Sequence, residues 1–247
     1  MGVALDGFER ETVSVLGTER DVYRRGTGPA VIVIHEIPGI TPLVARFGRE
    51  VADAGFTAVL PSLFGTPGKP QSLVPIAGTF ARACISREFA TLAAGRTSPI
   101  IGWLRRLAAL EHHRCGGPGV GAVGMCLTGG FALGMMVDPA VTAPVLSQPS
   151  LPLPLGARRK ASVGLSDADF LAVKERVAEG TCVLGLRYEG DKTSPRERFE
   201  TLRRELGDGF VAVELPGSKH SVLTEHRHDE SVAKVLDFFR DRLRPAT

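Results

Sequence analysis

Cys126 lies in the run GAVGMCLTGG, where a short apolar stretch stops at a glycine-flanked cysteine and a helix-compatible segment, FALGMMV, follows at once. A chain that leaves a buried strand, turns sharply at a nucleophile and enters a helix exposes that side chain at the tip of a sheet. The first backbone N–H groups of the helix are then free to bind an oxyanion. Two later positions supply the rest of a triad in the chain order nucleophile, acid, histidine: Asp191 in RYEGDKTSP and His220 in PGSKHSV. A free thiol with a pKa of about 8.5 is only slightly ionised at neutral pH and gains from a neighbouring base, the role open to His220. Asp191 would hold the imidazole in one tautomer and stabilise its charged form. The expected chemistry is attack of Cys126 on an ester or lactone carbonyl, collapse to a thioester, and hydrolysis by water activated at His220.

The elements that must position these residues follow from hydrophobic periodicity. Strand-like apolar segments alternate with longer helical ones, the pattern of an α/β chain. ETVSVL (11–16) and DVYRRG (21–26) suit an antiparallel pair. AVIVIH (30–35), TAVLPS (57–62), GAVGMC (121–126), APVLSQ (143–148), TCVLGLRYEG (181–190) and FVAVELPG (210–217) read as strands buried on both faces, being near-continuous runs of Val, Ile and Leu. Segments 42–55, 87–110, 131–138, 194–207 and 231–243 can each turn an apolar stripe inward at helical period. The expectation is one domain over 1–247, with a mostly parallel central sheet of about eight strands and helices on both faces. A proline-dense stretch within 148–165 reads as a surface loop that either borders the site or connects elements.

His35 and Glu36 close what should be a central strand, at the level where a second oxyanion donor is needed. The backbone N–H of Ile37 is the candidate there, matched by the N–H of Leu127, the residue after the nucleophile. A zinc-protease reading of His35-Glu36 fails, because Gly39 stands where a second histidine is required.

HEIPG at 35–39, SREFA around Arg87, GMCLTGGFAL around Cys126, EGD at Asp191 and PGSKHS at His220 together resemble the dienelactone hydrolase family of α/β hydrolases, from roughly residue 10 onward. The resemblance implies an α/β-hydrolase fold and a cofactor-free, metal-free carboxylic ester hydrolase with Cys126, Asp191 and His220 as its triad. It also implies that Glu36 takes part in switching the cysteine on and that Arg87 binds a substrate carboxylate. The bland readings beside these are a Glu36 paired with a basic residue and an Arg87 solvated on a helix. Two departures stand out. Thr128 replaces the small residue usual two places after the nucleophile, and Thr224 stands four residues after His220, where the best-known dienelactone hydrolases carry an arginine.

Composition narrows the rest. Thirty basic and 27 acidic residues are scattered, giving a net charge of +3 with no basic stripe, so nothing calls for nucleic acid. No apolar run reaches membrane-spanning length and the first residues lack a signal-peptide pattern, so the expectation is a soluble, cytoplasmic protein acting on a small molecule, anionic where Arg87 faces the pocket. Four cysteines (Cys84, Cys115, Cys126, Cys182) without paired spacing are expected to be free, Cys84 and Cys182 as small buried hydrophobes. Gly119, Gly121 and Gly124 spell GxGxxG but precede a strand rather than open a helix, which removes the dinucleotide reading. His112 and His113 read as helix-end residues, and His226 and His228 with Asp229 as a helix start rather than a metal site. Two alternatives to an ester hydrolase stay open: a thioesterase using the same triad, and a non-catalytic ligand-binding protein on the same fold. Monomer and homodimer are not distinguished.

Overall fold

A computed structural model describes residues 3–70, 97–151 and 156–244. Among the described residues eight strands form one sheet: β1 (Glu9–Val15), β2 (Thr18–Arg25), β3 (Ala30–Ile34), β4 (Thr57–Pro61), β5 (Val120–Met125), β6 (Val141–Ser147), β7 (Val183–Tyr188) and β8 (Phe210–Leu215). Their order is β1-β2-β4-β3-β5-β6-β7-β8. β2 runs antiparallel to both β1 and β4, and every later pairing is parallel. The first two strands close through Leu16 and Gly17, both at positive φ (52° and 73°), the twist a two-residue hairpin demands. The α/β-hydrolase architecture expected from the sequence is the one observed.

The described helices are α1 (Pro42–Asp53), α2 (Pro99–Cys115), α3 (Gly129–Met135), α4 (Ala157–Ala161), α5 (Asp167–Ala178), α6 (Arg196–Leu206) and α7 (Asp229–Leu243). Thr41 and Ser98 cap α1 and α2, each followed by a proline at the first helical position, where its missing N–H costs nothing. Two cores lie on opposite sides of the sheet. Val31 and Val33 of β3 face a cluster with Phe47 and Val51 of α1 and Val235 and Phe239 of α7, whereas Ile32 and Ile34 face one with Leu104 of α2, Leu133 of α3 and Phe199 of α6. Because successive side chains of a strand alternate faces, a strand in this position must be apolar throughout, and all five residues of β3 are buried.

Helix α5 was not among the expected elements. Only Val173 of it is fully buried, with Phe170 and Val177 packed at the core's edge, so its apolar stripe is thin, although Ser166 caps it through the Asp169 N–H at 3.2 Å. The proline-dense stretch likewise contains a short helix, α4, within its described residues 156–165. Helix α2 runs on to Cys115, so His112 and His113 do sit in its last turn.

Candidate active site

The sharp turn at Cys126 is carried by backbone strain. Strand β5 ends at Met125, Cys126 takes φ = 58°, and a 3-10 turn over Cys126–Thr128 leads directly into α3. A non-glycine residue in that region costs on the order of 1–3 kcal/mol, a strain that surrounding structure must hold. Here Ser150 N–H donates to the Cys126 carbonyl at 2.8 Å. Gly124, beneath the turn, is obligatory because any Cβ there would run into the Thr128 carbonyl.

Asp191 follows β7, and His220 lies in the segment after β8. The Asp191 Oδ1 atom accepts from the N–H of Thr193 at 2.9 Å, its hydroxyl at 2.7 Å and the N–H of Ser194 at 3.3 Å. That leaves Oδ2 turned to His220 Nδ1 at 2.6 Å. Since a carboxylate only accepts, Nδ1 carries a proton and Nε2 is the nitrogen left for Cys126. Burial works against a charged His220, but its bond to Asp191 and its interactions with Cys126 outweigh this and raise its pKa to about 10. Burial also works against the Asp191 carboxylate and is likewise outweighed, chiefly by His220, so its pKa lies below the usual value. His220 thus bonds Asp191 through Nδ1, and Cys126 acts on the same ring.

The second strand end is organised by His35, fully buried. Its Nδ1 lies 3.0 Å from the Glu36 carbonyl and its Nε2 accepts the Leu63 N–H at 3.1 Å, which specifies the neutral Nδ1–H tautomer. The Glu36 carbonyl accepts a second bond from Gly39 N–H at 2.9 Å. In a trans peptide the N–H points opposite to the C=O, so two donors on Glu36 fix the direction of the Ile37 N–H. The following Ile37–Pro38 bond is cis. Burial, opposed by the bond to the Glu36 carbonyl and assisted by the charge of Arg20, lowers the His35 pKa to about 4. The unfolded chain, titrating near 6.5, therefore takes up this proton first, and stability falls as pH drops from about 6.5 to 4, by roughly 3 kcal/mol. Urea melts across that window should show the loss in the native protein and a shallower one in His35→Gln. Equal slopes would contradict this.

Glu36, itself buried, accepts from the hydroxyls of Thr224 and of Ser221, the latter at 2.9 Å, and from the Gln148 amide at 3.3 Å. Among the described residues its partners are these hydroxyls and this amide. Burial raises its pKa, against those hydroxyl bonds and the attraction of His220. Gln148, at φ = 36° and fully buried, also accepts the Val222 N–H at 3.3 Å, so β3, β6 and the His220 segment meet on this one carboxylate and amide.

The stretch 148–165 begins in contact with the elbow, through Ser150 and through Pro149, which packs against Gly129. Arg198 of α6, buried among carbonyls, donates to Pro149 and to Ser162 and so holds both ends of that stretch to the fold. Arg87 and Cys84 lie outside the described residues. Cys115 and Cys182 are free and only partly buried, so Cys182 is less enclosed than its apolar context suggested. His228 caps α7 through the Ser231 N–H, and His226 Nδ1 faces the N–H groups of His220 and Ser221 at 3.4 and 3.3 Å. Among the described residues no group of three or more His, Cys, Asp or Glu could hold a metal ion, and no helix is long and apolar enough to cross a membrane.

Residues 15–235 match the model of the Dienelactone hydrolase family. The chain belongs to that family. No curated protein matches it in sequence. A candidate dienelactone hydrolase from Klebsiella pneumoniae superposes with a TM-score of 0.65 at 19% identity, covering 96% of this chain and 98% of that one. A 2,6-dihydroxy-pseudo-oxynicotine hydrolase does so with 0.62 at 16% over 96% and 68%, and a cold-adapted esterase from an Arctic intertidal metagenomic library with 0.61 at 13% over 96% and 95%. At these identities the likeness speaks for the fold.

As a dienelactone hydrolase family member, the chain is an α/β hydrolase of small molecules, and both of its departures have structural roles. Thr224 is buried and spends its hydroxyl on Glu36. Thr128 is buried and bonds the ends of two strands. Sequence reading also passed over Thr193, Ser221 and Gln148. Only Thr193 left a signal, because Asp-x-Thr is a pattern in which the aspartate side chain caps the backbone two residues on.

Proposed function

We propose that this protein is a cysteine-dependent hydrolase of small esters or lactones that works through a thioester acyl-enzyme. The observation that carries the reading is His220 bonded to Asp191 through Nδ1 and influenced by Cys126, which sits at φ = 58°. His220, its pKa raised to about 10, is the base that holds the proton while Cys126 attacks as the thiolate. The thiolate attacks the carbonyl carbon, the carbonyl π pair moves to oxygen, and the N–H groups of Ile37 and Leu127 receive the oxyanion. Collapse expels the alkoxide, which takes the His220 Nε2 proton. The neutral imidazole then removes a proton from water, whose oxygen attacks the thioester; the returning thiolate and imidazolium restore the pair.

Glu36 supports this reading through charge. Its carboxylate attracts His220 and anchors Ser221 and Thr224 of the same segment. Glu36→Gln is expected to lower kcat/KM roughly tenfold, as loss of one charge contact in a partly buried site would, and to slow alkylation of Cys126, with no fall in thermal stability because a buried charge has been removed. Unchanged turnover together with unchanged alkylation would show that Glu36 has no part in activating the thiol.

Substrate class is tested by hydrolysis of an activated acetyl ester, a thioester and a dienelactone. Ester cleavage is expected, and with Thr224 committed to Glu36, dienelactone is expected to be the poorer substrate. No turnover of any of the three would contradict the hydrolase reading. An anionic preference depends on Arg87, and loss of discrimination between charged and neutral esters in Arg87→Ala is the sign of it.

A further inference from the structure

The β3–β5 ladder ends with Ile34 opposite Gly124, yet the two proposed oxyanion donors lie beyond it, on Ile37 and Leu127. Backbone pairing between the strands therefore stops short of fixing how far apart those N–H groups stand. One side chain crosses the gap. Thr128 Oγ1 accepts the Met125 N–H at 2.9 Å and lies 3.0 Å from the Ile34 carbonyl, 3.2 Å from that of His35 and 2.9 Å from that of Met125. A hydroxyl has one proton to give, and two of these three acceptors belong to the end of β3 while the group donating to it belongs to β5. The hydroxyl is 1% exposed as a residue, so water does not compete for those bonds.

The bonds on either side continue to the donors. His35 carries the bond onward: its ring holds the Glu36 carbonyl, and that peptide supplies the Ile37 N–H. Leu127 immediately precedes Thr128 in the same 3-10 turn. We propose that Thr128 is a positioning residue whose hydroxyl sets the separation of the Ile37 and Leu127 N–H groups, so that both reach one oxygen. This rests on the oxyanion reading above. A glycine or alanine here could not supply the link, and threonine's branched Cβ restricts the rotamers through which the hydroxyl could leave it.

Misplacing a donor weakens a bond made chiefly in the transition state, so the loss belongs in kcat and not in KM. Deleting a donor outright costs about 100- to 1000-fold; Thr128→Val, which only loosens the pair, should cost about 10- to 100-fold in kcat. A trifluoromethyl ketone, to whose carbonyl carbon Cys126 sulfur adds while the oxygen takes the negative charge, should bind Thr128→Val more weakly by a similar factor. Alkylation of Cys126 by iodoacetamide, which creates no oxyanion, should proceed at the native rate. Thr128→Ser, which keeps the hydroxyl, should recover most of the kcat and of the ketone affinity, and Thr128→Ala takes the place of Thr128→Val should that variant fail to fold.

Native kcat and ketone affinity in Thr128→Val would overturn the inference. So would alkylation falling in step with kcat, which would mean a distorted elbow, or Thr128→Ser behaving as Thr128→Val does. Failure of the underlying reading looks different: the native protein would not be inhibited by the ketone, or turnover would survive Cys126→Ala.

Discussion

Cys126→Ala is expected to lower kcat/KM for an activated ester by at least about 1000-fold, the scale on which loss of a nucleophile abolishes covalent catalysis. The substitution removes the atom that bonds to carbon and leaves the oxyanion donors and His220 in place. The residue that remains must then rely on water attacking directly, a route that retains some rate from donors and binding alone. Stability should change little, because Cys126 is only partly buried and its main-chain bond to Ser150 N–H does not involve sulfur. The check is kcat/KM beside a thermal melt of the same preparation. A folded variant within tenfold of native would mean that another group is the nucleophile.

Asp191→Asn carries the second largest expected effect. Oδ1 is committed to Thr193 and Ser194, so an asparagine that keeps those three bonds must turn its NH2 toward His220 Nδ1. A donor facing Nδ1 forces the proton to Nε2 in the neutral ring, the tautomer that cannot accept from a thiol or from water. A loss of roughly 100- to 10,000-fold in kcat/KM follows, in the range seen when a triad acid is neutralised. The pH dependence gives an independent sign. In the native protein the imidazolium needed to protonate the leaving alkoxide persists until pH rises through about 10, so the alkaline limb of kcat/KM lies there. Without the bond and charge of Asp191 that limb moves to lower pH. The same shift means that His220 contributes stability fully below its unfolded pKa of 6.5 and loses that contribution as pH rises toward 10, a dependence that Asp191→Asn should flatten. A profile with an unmoved alkaline limb would remove Asp191 from the role.

The sheet was legible because burial on both faces leaves a coarse mark: AVIVIH and GAVGMC offer no polar side to be solvated, and both became central strands. Strand order was not, since the insertion of β4 between β2 and β3 depends on crossovers that no local pattern records. Helix α5 escaped because its buried face is little more than Val173. Cys126, Asp191 and His220 were readable as candidates for a different reason: each sits in a short motif following a strand. The groups that orient them are not local. Ser221 and Thr224 reach Glu36 from 185 and 188 residues away, and Gln148 from 112, so their part is visible only once the strands are side by side. Thr128 showed in the sequence as a misfit at the elbow, and its bonds to Ile34 and His35 explain why a bulky polar residue belongs there.

The central claim is a covalent acyl group on Cys126. Acid quench of the native protein during turnover of an activated acetyl ester, followed by mass analysis of the peptides, tests it directly. An acyl adduct on the Cys126 peptide, formed and discharged at rates that match turnover and absent from Cys126→Ala, is the predicted result. An acyl adduct on a different residue, or turnover of the ester at the native rate by Cys126→Ala, would contradict it.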